Sequence, residues 1–287
     1  MPACIVCPFC VEPSALEDAT DVASVPCNVR RYRDDRFTMW RCRGCGSIHC
    51  AEDADLAYYY SGYPLKQQQM TLHERTGFRN RMRMLERLGV SREARILDYG
   101  CGPGLYVRYL RDQGYANVEG YDKFESAFTG RGVLDRPYDA VVSYDVVEHD
   151  DDTREVIGAL AGLTRSGGLT IIGTPNADTT SLQRPAWPNL HAPYHRHILS
   201  ERTLLDLGTR AGLQPHLVVR RSFFDSVIPT VNSRFMWSYI ERCGVLDAAF
   251  EPPRQRVVLT SPRLAFFALF GYFLPLHDNL VVGFRKG

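Results

Sequence analysis

The sequence lacks an excess of charge of either sign, and this bears on its partners. Its 287 residues include 34 lysines and arginines against 33 acidic residues, a formal net charge of +1. Proteins that bind nucleic acid usually present a basic excess, so nucleic acid is disfavoured as a partner. With 45% hydrophobic and 11% aromatic residues, the composition is that of an ordinary globular chain and excludes global disorder.

Long apolar runs are also absent. About 20 apolar residues are needed to span a bilayer, and the longest apolar stretch, residues 264–274, is much shorter. We therefore expect no transmembrane segment and interpret this stretch as a buried helix or a substrate-cap helix. The N-terminus shows no basic segment followed by an apolar run, so no secretion signal is predicted and a cytoplasmic location is expected. Nothing in the sequence indicates an oligomeric state.

Nine cysteines in a chain without a predicted secretion signal favour reduced thiols and metal binding over disulfides. Cys7 and Cys10 form one Cys-x-x-Cys pair, and Cys42 and Cys45 form a second. Two such pairs can hold one zinc ion in a tetrahedral sulfur site, with zinc–sulfur distances of about 2.3 Å. Cys4 stands three residues before Cys7, so a pair of Cys4 and Cys7 is an alternative register for the first half of the site.

The pattern of the chain predicts three parts. Residues 1–50 are expected to form the zinc ribbon, and residues 51–90 a helical connector that begins with a tyrosine cluster. Residues 91–287 alternate short apolar strands with helices, which is typical of an α/β sheet with helices on both faces. We predict seven mostly parallel strands, the third at residues 132–135. Residues 221–278 are too many for a hairpin loop before the last strand and are predicted to form a helical cap over the substrate.

A glycine-rich turn follows the first strand of the predicted sheet. Gly100, Gly102 and Gly104 lack a Cβ, so the backbone can turn sharply and approach a ligand closely. A carboxylate at Asp98, just before the turn, would repel a pyrophosphate but suits a ligand that carries a positive charge. Asp122 ends the second strand 20 residues after Gly102, where it can accept hydrogen bonds from ribose hydroxyls. A purely structural turn is the alternative.

With these features the sequence resembles class I S-adenosylmethionine-dependent methyltransferases over about residues 75–287. The first motif of that family is matched by residues 97–104 (LDYGCGPG) and its fourth-strand motif by residues 138–149 (YDAVVSYDVVEH). The family's Pro-Gly-Gly turn is matched by residues 165–168 (RSGG), with Ser in place of Pro. The resemblance implies a Rossmann-like sheet and S-adenosylmethionine as the cofactor.

The resemblance also implies where the cofactor binds. The methionine part is expected near Gly100 and Gly102, the ribose on Asp122, and Tyr144 close to the cofactor. The complete set of cofactor-binding residues expected on this basis is Asp98, Gly100, Cys101, Gly102, Gly104, Asp122, Lys123 and Tyr144.

Acidic and histidine side chains follow the fourth and fifth strands. Asp145, Glu148 and His149 share one face if their segment is helical, and they lie at the carboxyl edge of the sheet, where ligands bind in open α/β folds. His197 follows the fifth strand and is expected at the same edge. These four candidate catalytic residues can act as a general base or bind a divalent metal. A purely positional role is the third alternative.

This cluster is similar to that of two metal-assisted groups of methyltransferases. Ubiquinone-biosynthesis O-methyltransferases and small-RNA 2′-O-methyltransferases carry an acid-x-x-Glu-His motif after the fourth strand. The RNA enzymes add a later histidine, whose place His197 takes here. The resemblance implies a second, divalent metal in the active site that would hold the substrate hydroxyls. Asp145 stands where the more usual residue is Glu, which shortens one ligand arm.

The order of zinc ribbon, tyrosine-rich connector and methyltransferase core resembles bacterial methyltransferases of glycan and natural-product pathways. The expected reaction is therefore O-methylation of a small metabolite, sugar or natural product. RNA 2′-O-methylation, or N- or C-methylation of a natural product, remains an alternative. A non-enzymatic zinc-ribbon interaction protein with an inactive core is the third.

Overall fold

The structure is a computed structural model that describes residues 4–11, 14–64 and 69–287, so parts of the predicted ribbon and connector lie outside it. The strands of the described residues are β1 (Asp21–Pro26), β2 (Arg36–Arg41), β3 (Ile48–Cys50), β4 (Ile96–Tyr99), β5 (Val118–Tyr121), β6 (Tyr138–Tyr144), β7 (Thr164–Pro175), β8 (His197–Ile198), β9 (Leu213–Val219) and β10 (Asn279–Lys286). The helices are α1 (Leu56–Ser61), α2 (Leu72–Arg87), α3 (Leu105–Asp112), α4 (Thr153–Leu163), α5 (Glu201–Arg210), α6 (Ser233–Cys243), α7 (Gln255–Leu259) and α8 (Pro262–Phe270).

The N-terminal module is a small antiparallel sheet in the order β1–β2–β3–β8. Its last strand comes from the region after β7, more than a hundred residues further along the chain. β8 pairs with β3 so that His49 and His197 are partners in the register, and the N–H of Cys50 donates to the carbonyl of Arg196 at 3.0 Å. Main-chain hydrogen bonds therefore join the module directly to the rest of the protein.

The larger sheet has the order β5–β4–β6–β7–β10–β9. β4 pairs in parallel with β5 and β6, and β6 pairs in parallel with β7, whereas β10 runs antiparallel between β7 and β9. Successive residues of β6 face opposite sides: Val141 packs in the apolar cluster that contains α4, and Val142 in the cluster that contains α3. The prediction of a mostly parallel α/β sheet covered on both faces is confirmed.

The sheet differs from the prediction in one strand. Residues 132–135 were expected to form the third of seven strands, but the larger sheet has six strands within the described residues. The segment contains a short 3-10 helix, Arg131–Leu134, instead. Gly132 and Pro137 explain the difference, since glycine weakens a strand interior and proline cannot donate to a ladder.

The residues between β9 and β10 form the predicted helical insertion. Its helices α6, α7 and α8 enclose an apolar cluster of their own, made of Phe235, Tyr239, Ile240, Val245, Ala248, Leu264, Phe267 and Ala268. The insertion is tied to α2, because the amide of Asn80 donates to the carbonyl of Phe223 at 2.8 Å and the ring of His73 is hydrogen-bonded to the carbonyl of Thr230 at 2.8 Å. Within the part of the chain described, no helix is both long and apolar enough to cross a membrane.

Candidate cofactor and catalytic site

The turn between β4 and α3 has the backbone that its glycines predict. Gly100, Gly102 and Gly104 have φ angles of +80°, +50° and +72°, in the left-handed region that favours glycine. A Cβ added at Gly100 would lie 2.2 Å from a methyl group of Val146. The turn therefore packs directly on the loop after β6, and any side chain there would separate the two segments.

Asp122, at the end of β5, lies beside the glycine turn. One carboxylate oxygen accepts a hydrogen bond from the N–H of Gly102 at 2.9 Å. The other accepts from the N–H of Phe124 at 2.8 Å and from that of Glu125 at 2.9 Å. The carboxylate thus holds the turn and the following loop in place, at the position expected of the acid that binds a ribose.

Asp98 is a buried carboxyl group behind the turn. Burial raises its pKa to about 7, an effect that Arg81 opposes and Asp122 reinforces. A positive charge near a buried carboxyl group favours its ionised form. For Asp98 that charge comes from Arg81 of α2. The guanidinium of Arg81 lies over two rings of the site, 4.0 Å from the centre of Tyr144 and 3.8 Å from that of Phe223.

Asp145 does not join the predicted catalytic cluster. Its φ of +57° breaks the helical course that would have placed it on one face with Glu148 and His149, and the segment forms a turn. Its carboxylate pairs with Arg81 at 3.3 Å. Our interpretation of the sequence missed Arg81, although an arginine on the apolar face of α2, next to Met82, was a signal for it.

Glu148, His149 and His195 form a compact cluster at the carboxyl edge of the sheet. Their potential ligand atoms all lie within 4.8 Å of one another. Glu148 is fully buried and accepts a hydrogen bond from the hydroxyl of Thr174 at 3.0 Å. The ring of His149 lies edge-on to that of His195, with 4.8 Å between their centres. Thus two of the four predicted catalytic residues meet here, together with a histidine that was not chosen.

The hydrogen bonds of this cluster determine which nitrogen of His195 carries a proton. The carbonyl of Asn189 can only accept, so Nδ1 of His195 donates to it at 2.8 Å. In the neutral ring the Nε2 atom then carries a lone pair. This atom lies 4.0 Å from Oε1 of Glu148. Oε1 is buried and has no hydrogen-bond partner among the described residues. A cation bound between them would satisfy both atoms, whereas their separation is too long for a direct hydrogen bond.

Burial sets the charge of the cluster. It lowers the pKa of His149 and of His191 well below 6.5, and that of His195 to about 4. Burial raises the pKa of Glu148 well above 4.5, and the negative charge of Asp145 raises it further. The imidazoles are therefore neutral near pH 7, the form in which an imidazole can accept a proton or bind a metal.

The expectation that His197 lies with Glu148 and His149 is corrected by the structure. Its Nδ1 lies 2.9 Å from Nδ1 of His49, and its Nε2 donates to the carbonyl of Asp151 at 3.2 Å. The pairing of β8 with β3 turns this side chain towards the N-terminal module. A sequence pattern cannot show that pairing, because the two strands are far apart along the chain.

Tyrosines of the connector reach the same cluster. The hydroxyl of Tyr60 is hydrogen-bonded to Nδ1 of His149 at 3.0 Å, and that of Tyr63 to Nε2 of His191 at 3.2 Å. The ring of Tyr60 also stacks on Phe124, just after Asp122, at 5.3 Å. These contacts place the connector over the edge of the sheet, between the glycine turn and the histidines.

Three further predicted cofactor residues lie in different settings. Cys101 is buried beneath the turn, where a Cβ at Gly120 would come within 2.7 Å of its sulfur. Tyr144 is buried, and its hydroxyl has no hydrogen-bond partner among the described residues. Lys123 is 68% exposed and lies 4.0 Å from the carboxylate of Asp150, at the surface of the site.

The two cysteine pairs come together in the N-terminal module. The sulfur of Cys7 lies 3.6 Å from that of Cys45, and the sulfur of Cys10 lies 3.5 Å from that of Cys42. All four sulfur atoms are within 4.8 Å of one another, close to the spacing that a tetrahedral zinc site requires. Cys4 instead lies with His49 and His197, so the structure favours Cys10 over Cys4 in the group of four.

Comparisons with known proteins identify the family to which this chain belongs. The methyltransferase domain family matches residues 70–218. A malonyl-[acyl-carrier protein] O-methyltransferase of Enterobacter lignolyticus is 27% identical over 139 residues, which cover 43% of this chain and 55% of that protein. The chain thus spans about half the length of this curated relative.

Two solved structures are similar to this chain, and the first of them shows the same fold. One chain of the Haloferax volcanii complex between the Trm112 methyltransferase activator and a methyltransferase is 14% identical, with a TM-score of 0.50, covering 82% of this chain and 99% of that one. An S-adenosylmethionine-dependent methyltransferase of Mesorhizobium loti is 15% identical, with a TM-score of 0.44, covering 72% of this chain and 98% of that one. Because the family match extends over more than half of the sequence, this chain belongs to the methyltransferase domain family.

Proposed function

We propose that the enzyme methylates a hydroxyl group of a small metabolite, sugar or natural product. The cluster of Glu148, His149 and His195 carries this proposal. A hydroxyl loses its proton when its oxygen is methylated, and neutral imidazoles at the ligand-binding edge of the sheet can accept it. The curated relative is itself named as an O-methyltransferase, which agrees with methylation at oxygen.

The residues around the turn fit S-adenosylmethionine. The backbone between Gly100 and Gly104 has no Cβ to hinder a close approach, and Asp122 offers carboxylate oxygens to ribose hydroxyls. The buried carboxyl group of Asp98 would be stabilised in its charged form by a cationic ligand. When bound, the cofactor supplies an electrophilic methyl group on a sulfonium centre.

His149 is the proposed acceptor of the hydroxyl proton. Its low pKa keeps the imidazole neutral, and the hydrogen bond with Tyr60 orients the ring. His195 and Glu148 pack against it and restrict its position. A general base of this kind contributes about 10²–10⁴-fold to the rate. Alignment of the acceptor by the surrounding pocket contributes a larger share, up to about 7–11 kcal/mol.

A divalent metal is the alternative use of the same cluster. One carboxylate and two imidazoles suit ions such as Zn²⁺, Fe²⁺ or Mn²⁺, and the spacing of the three side chains allows one ion between them. Such an ion would lower the pKa of a bound acceptor hydroxyl. Full activity after chelation, with no stimulation by added divalent ions, would exclude this alternative.

RNA is the second candidate acceptor. The N-terminal module favours it, but the sequence similarity to RNA 2′-O-methyltransferases depended on His197, which lies with His49 in the N-terminal module. RNA binding that weakens steeply with salt would support this reading. N- or C-methylation is distinguished from O-methylation by the bond found in the product.

We further propose that Cys7, Cys10, Cys42 and Cys45 bind one structural zinc ion. The fit of the sulfur spacing to a tetrahedral site supports this. Metal binding would add to the folding free energy of the module.

The cofactor assignment predicts that Asp122→Asn weakens binding of S-adenosylhomocysteine at least tenfold. A hydrogen bond to a charged group contributes about 1.5–3 kcal/mol, and the amide keeps the size of the side chain. Isothermal titration calorimetry measures the affinity. Asp112→Asn, at the exposed end of α3, is the matched control, and equal affinities for both variants would refute the ribose assignment.

The catalytic assignment predicts that His149→Gln lowers kcat at least a hundredfold, because the general base is lost. The assay first screens hydroxylated and aminated acceptors with methyl-labelled cofactor and identifies the bond formed. His216→Gln, on an exposed position of β9, should retain activity. Methyl groups found only on nitrogen or carbon would contradict O-methylation.

The same base has a characteristic pH dependence. Since burial lowers the pKa of His149 well below 6.5, the neutral form persists as the pH falls through 6.5. The acid limb of kcat/KM in the wild-type enzyme should therefore lie below that pH and disappear in His149→Gln. With saturating cofactor, so that ionisation of Asp98 does not contribute, a limb at or above pH 6.5 would show that another group is the base.

The zinc proposal predicts one zinc ion per chain by elemental analysis. Cys42→Ser should lose the zinc and lower the melting temperature, because a ligand and its metal-binding free energy are both removed. Cys243→Ser, a partly exposed cysteine at the end of α6, should keep both. Purified wild-type protein without zinc that melts at the same temperature with and without added zinc would contradict the proposal.

A further inference from the structure

Apart from Arg263 in its first turn, helix α8 is apolar on all sides. Leu264, Phe267 and Ala268 are buried in the cluster that the insertion encloses. The opposite side carries further large apolar side chains and faces solvent. Helices that are apolar on all sides are normally covered on all sides. The uncovered side of α8 therefore indicates a binding surface.

Exposed apolar residues of α8 and of its flanking turns make up a surface that we name the α8 face. It consists of Phe266 (49% exposed), Leu269 (57%), Phe270 (48%) and Phe273 (69%), with Leu259 (81%) and Leu274 (41%) in the adjoining segments. The first three have the spacing i, i+3 and i+4, which aligns side chains along one side of a helix, and Phe273 follows in the 3-10 turn after α8. Contiguous exposed apolar patches of this kind mark sites of interaction.

The segment that carries the α8 face is basic. Residues 252–276 contain Arg254, Arg256 and Arg263 and no acidic residue, and of the three Arg254 is paired with Glu251 at 3.2 Å. Arg256 also lines a surface depression of about 550 Å³ together with Arg242. Among the described residues neither of these two arginines has an ion-pair partner. The α8 face thus combines exposed aromatic rings with cations that are available to an anionic partner.

We propose that the α8 face binds the surface of an anionic phospholipid membrane. The nine residues of α8 extend for about 14 Å at 1.5 Å per residue, whereas a bilayer core is about 30 Å thick. The helix therefore lies in the plane of the interface, with its rings among the acyl chains and its arginines at the phosphates.

The charge pattern favours a membrane over a second copy of the chain. A twofold dimer through this face would bring Arg256 and Arg263 of the two copies near each other. Residues 252–276 hold no carboxylate that could pair with them. An anionic lipid surface compensates the same charges. This inference is independent of the acceptor proposed above, because membrane binding is measured without methyl transfer.

The test is flotation of the full-length protein with vesicles. We expect binding to vesicles in which a third of the phosphatidylcholine is replaced by phosphatidylglycerol, and much weaker binding to phosphatidylcholine alone. Leu269→Ser combined with Phe273→Ser should lower the partition coefficient at least tenfold, because two inserted side chains are lost. Arg256→Glu should lower it by about fivefold or more at low salt, and less at high salt.

Matched substitutions keep the test specific. Leu72→Ser replaces an equally exposed leucine, 53% against 57%, at the start of α2, and Arg154→Glu changes an exposed arginine of α4. Both should bind vesicles like the wild type. The proposal is overturned if the wild type does not float with anionic vesicles, or if the control variants lose as much binding as the α8 variants. It is also overturned if sedimentation shows a dimer that Leu269→Ser abolishes.

Discussion

The pairing of β3 with β8 is the constraint on which the site depends. On one side, β8 continues the sheet of the N-terminal module. On the other side, the carbonyl of Glu148 accepts hydrogen bonds from the N–H of Arg196 at 2.7 Å and from that of His197 at 3.1 Å. The short strand is thus held between the module and the loop after β6. His195 points to Glu148 and His149, and His197 points to the module, although only one residue lies between the two histidines.

A buried arginine reinforces this junction. Arg196 is 1% exposed, and its Nε donates to the carboxylate of Asp151 at 2.8 Å while Nη1 donates to the carbonyl of Glu52 at 2.8 Å. One guanidinium therefore connects the beginning of the connector, the loop after β6 and β8. Because a buried charge is stable only when it is paired, the three segments have to assemble together. This explains how the tyrosines of the connector reach His149.

Exclusion of water from this junction sets the chemistry of the site. The imidazoles are neutral and Glu148 resists ionisation because burial penalises their charged forms. Around the glycine turn the same burial acts on Asp98, with Arg81 opposing it. The result is a group of neutral imidazoles beside a buried carboxyl group. The apolar, arginine-bearing insertion lies on the outside of this arrangement and contacts it through Phe223 and α2.

The sequence alone was sufficient for the features that depend on local rules. Alternating apolar segments predicted the parallel sheet, and three glycines predicted a turn whose φ angles are positive. Two Cys-x-x-Cys pairs predicted a group of four sulfur atoms. The prediction of a third strand was wrong, because Gly132 and Pro137 disfavour a strand more than the weak apolar pattern of that segment favours one. Only the tertiary structure decided that His195 joins Glu148, that Arg81 faces Tyr144, and that the connector covers them. These contacts join residues that are far apart along the chain, and their pairing follows from packing that no local pattern records.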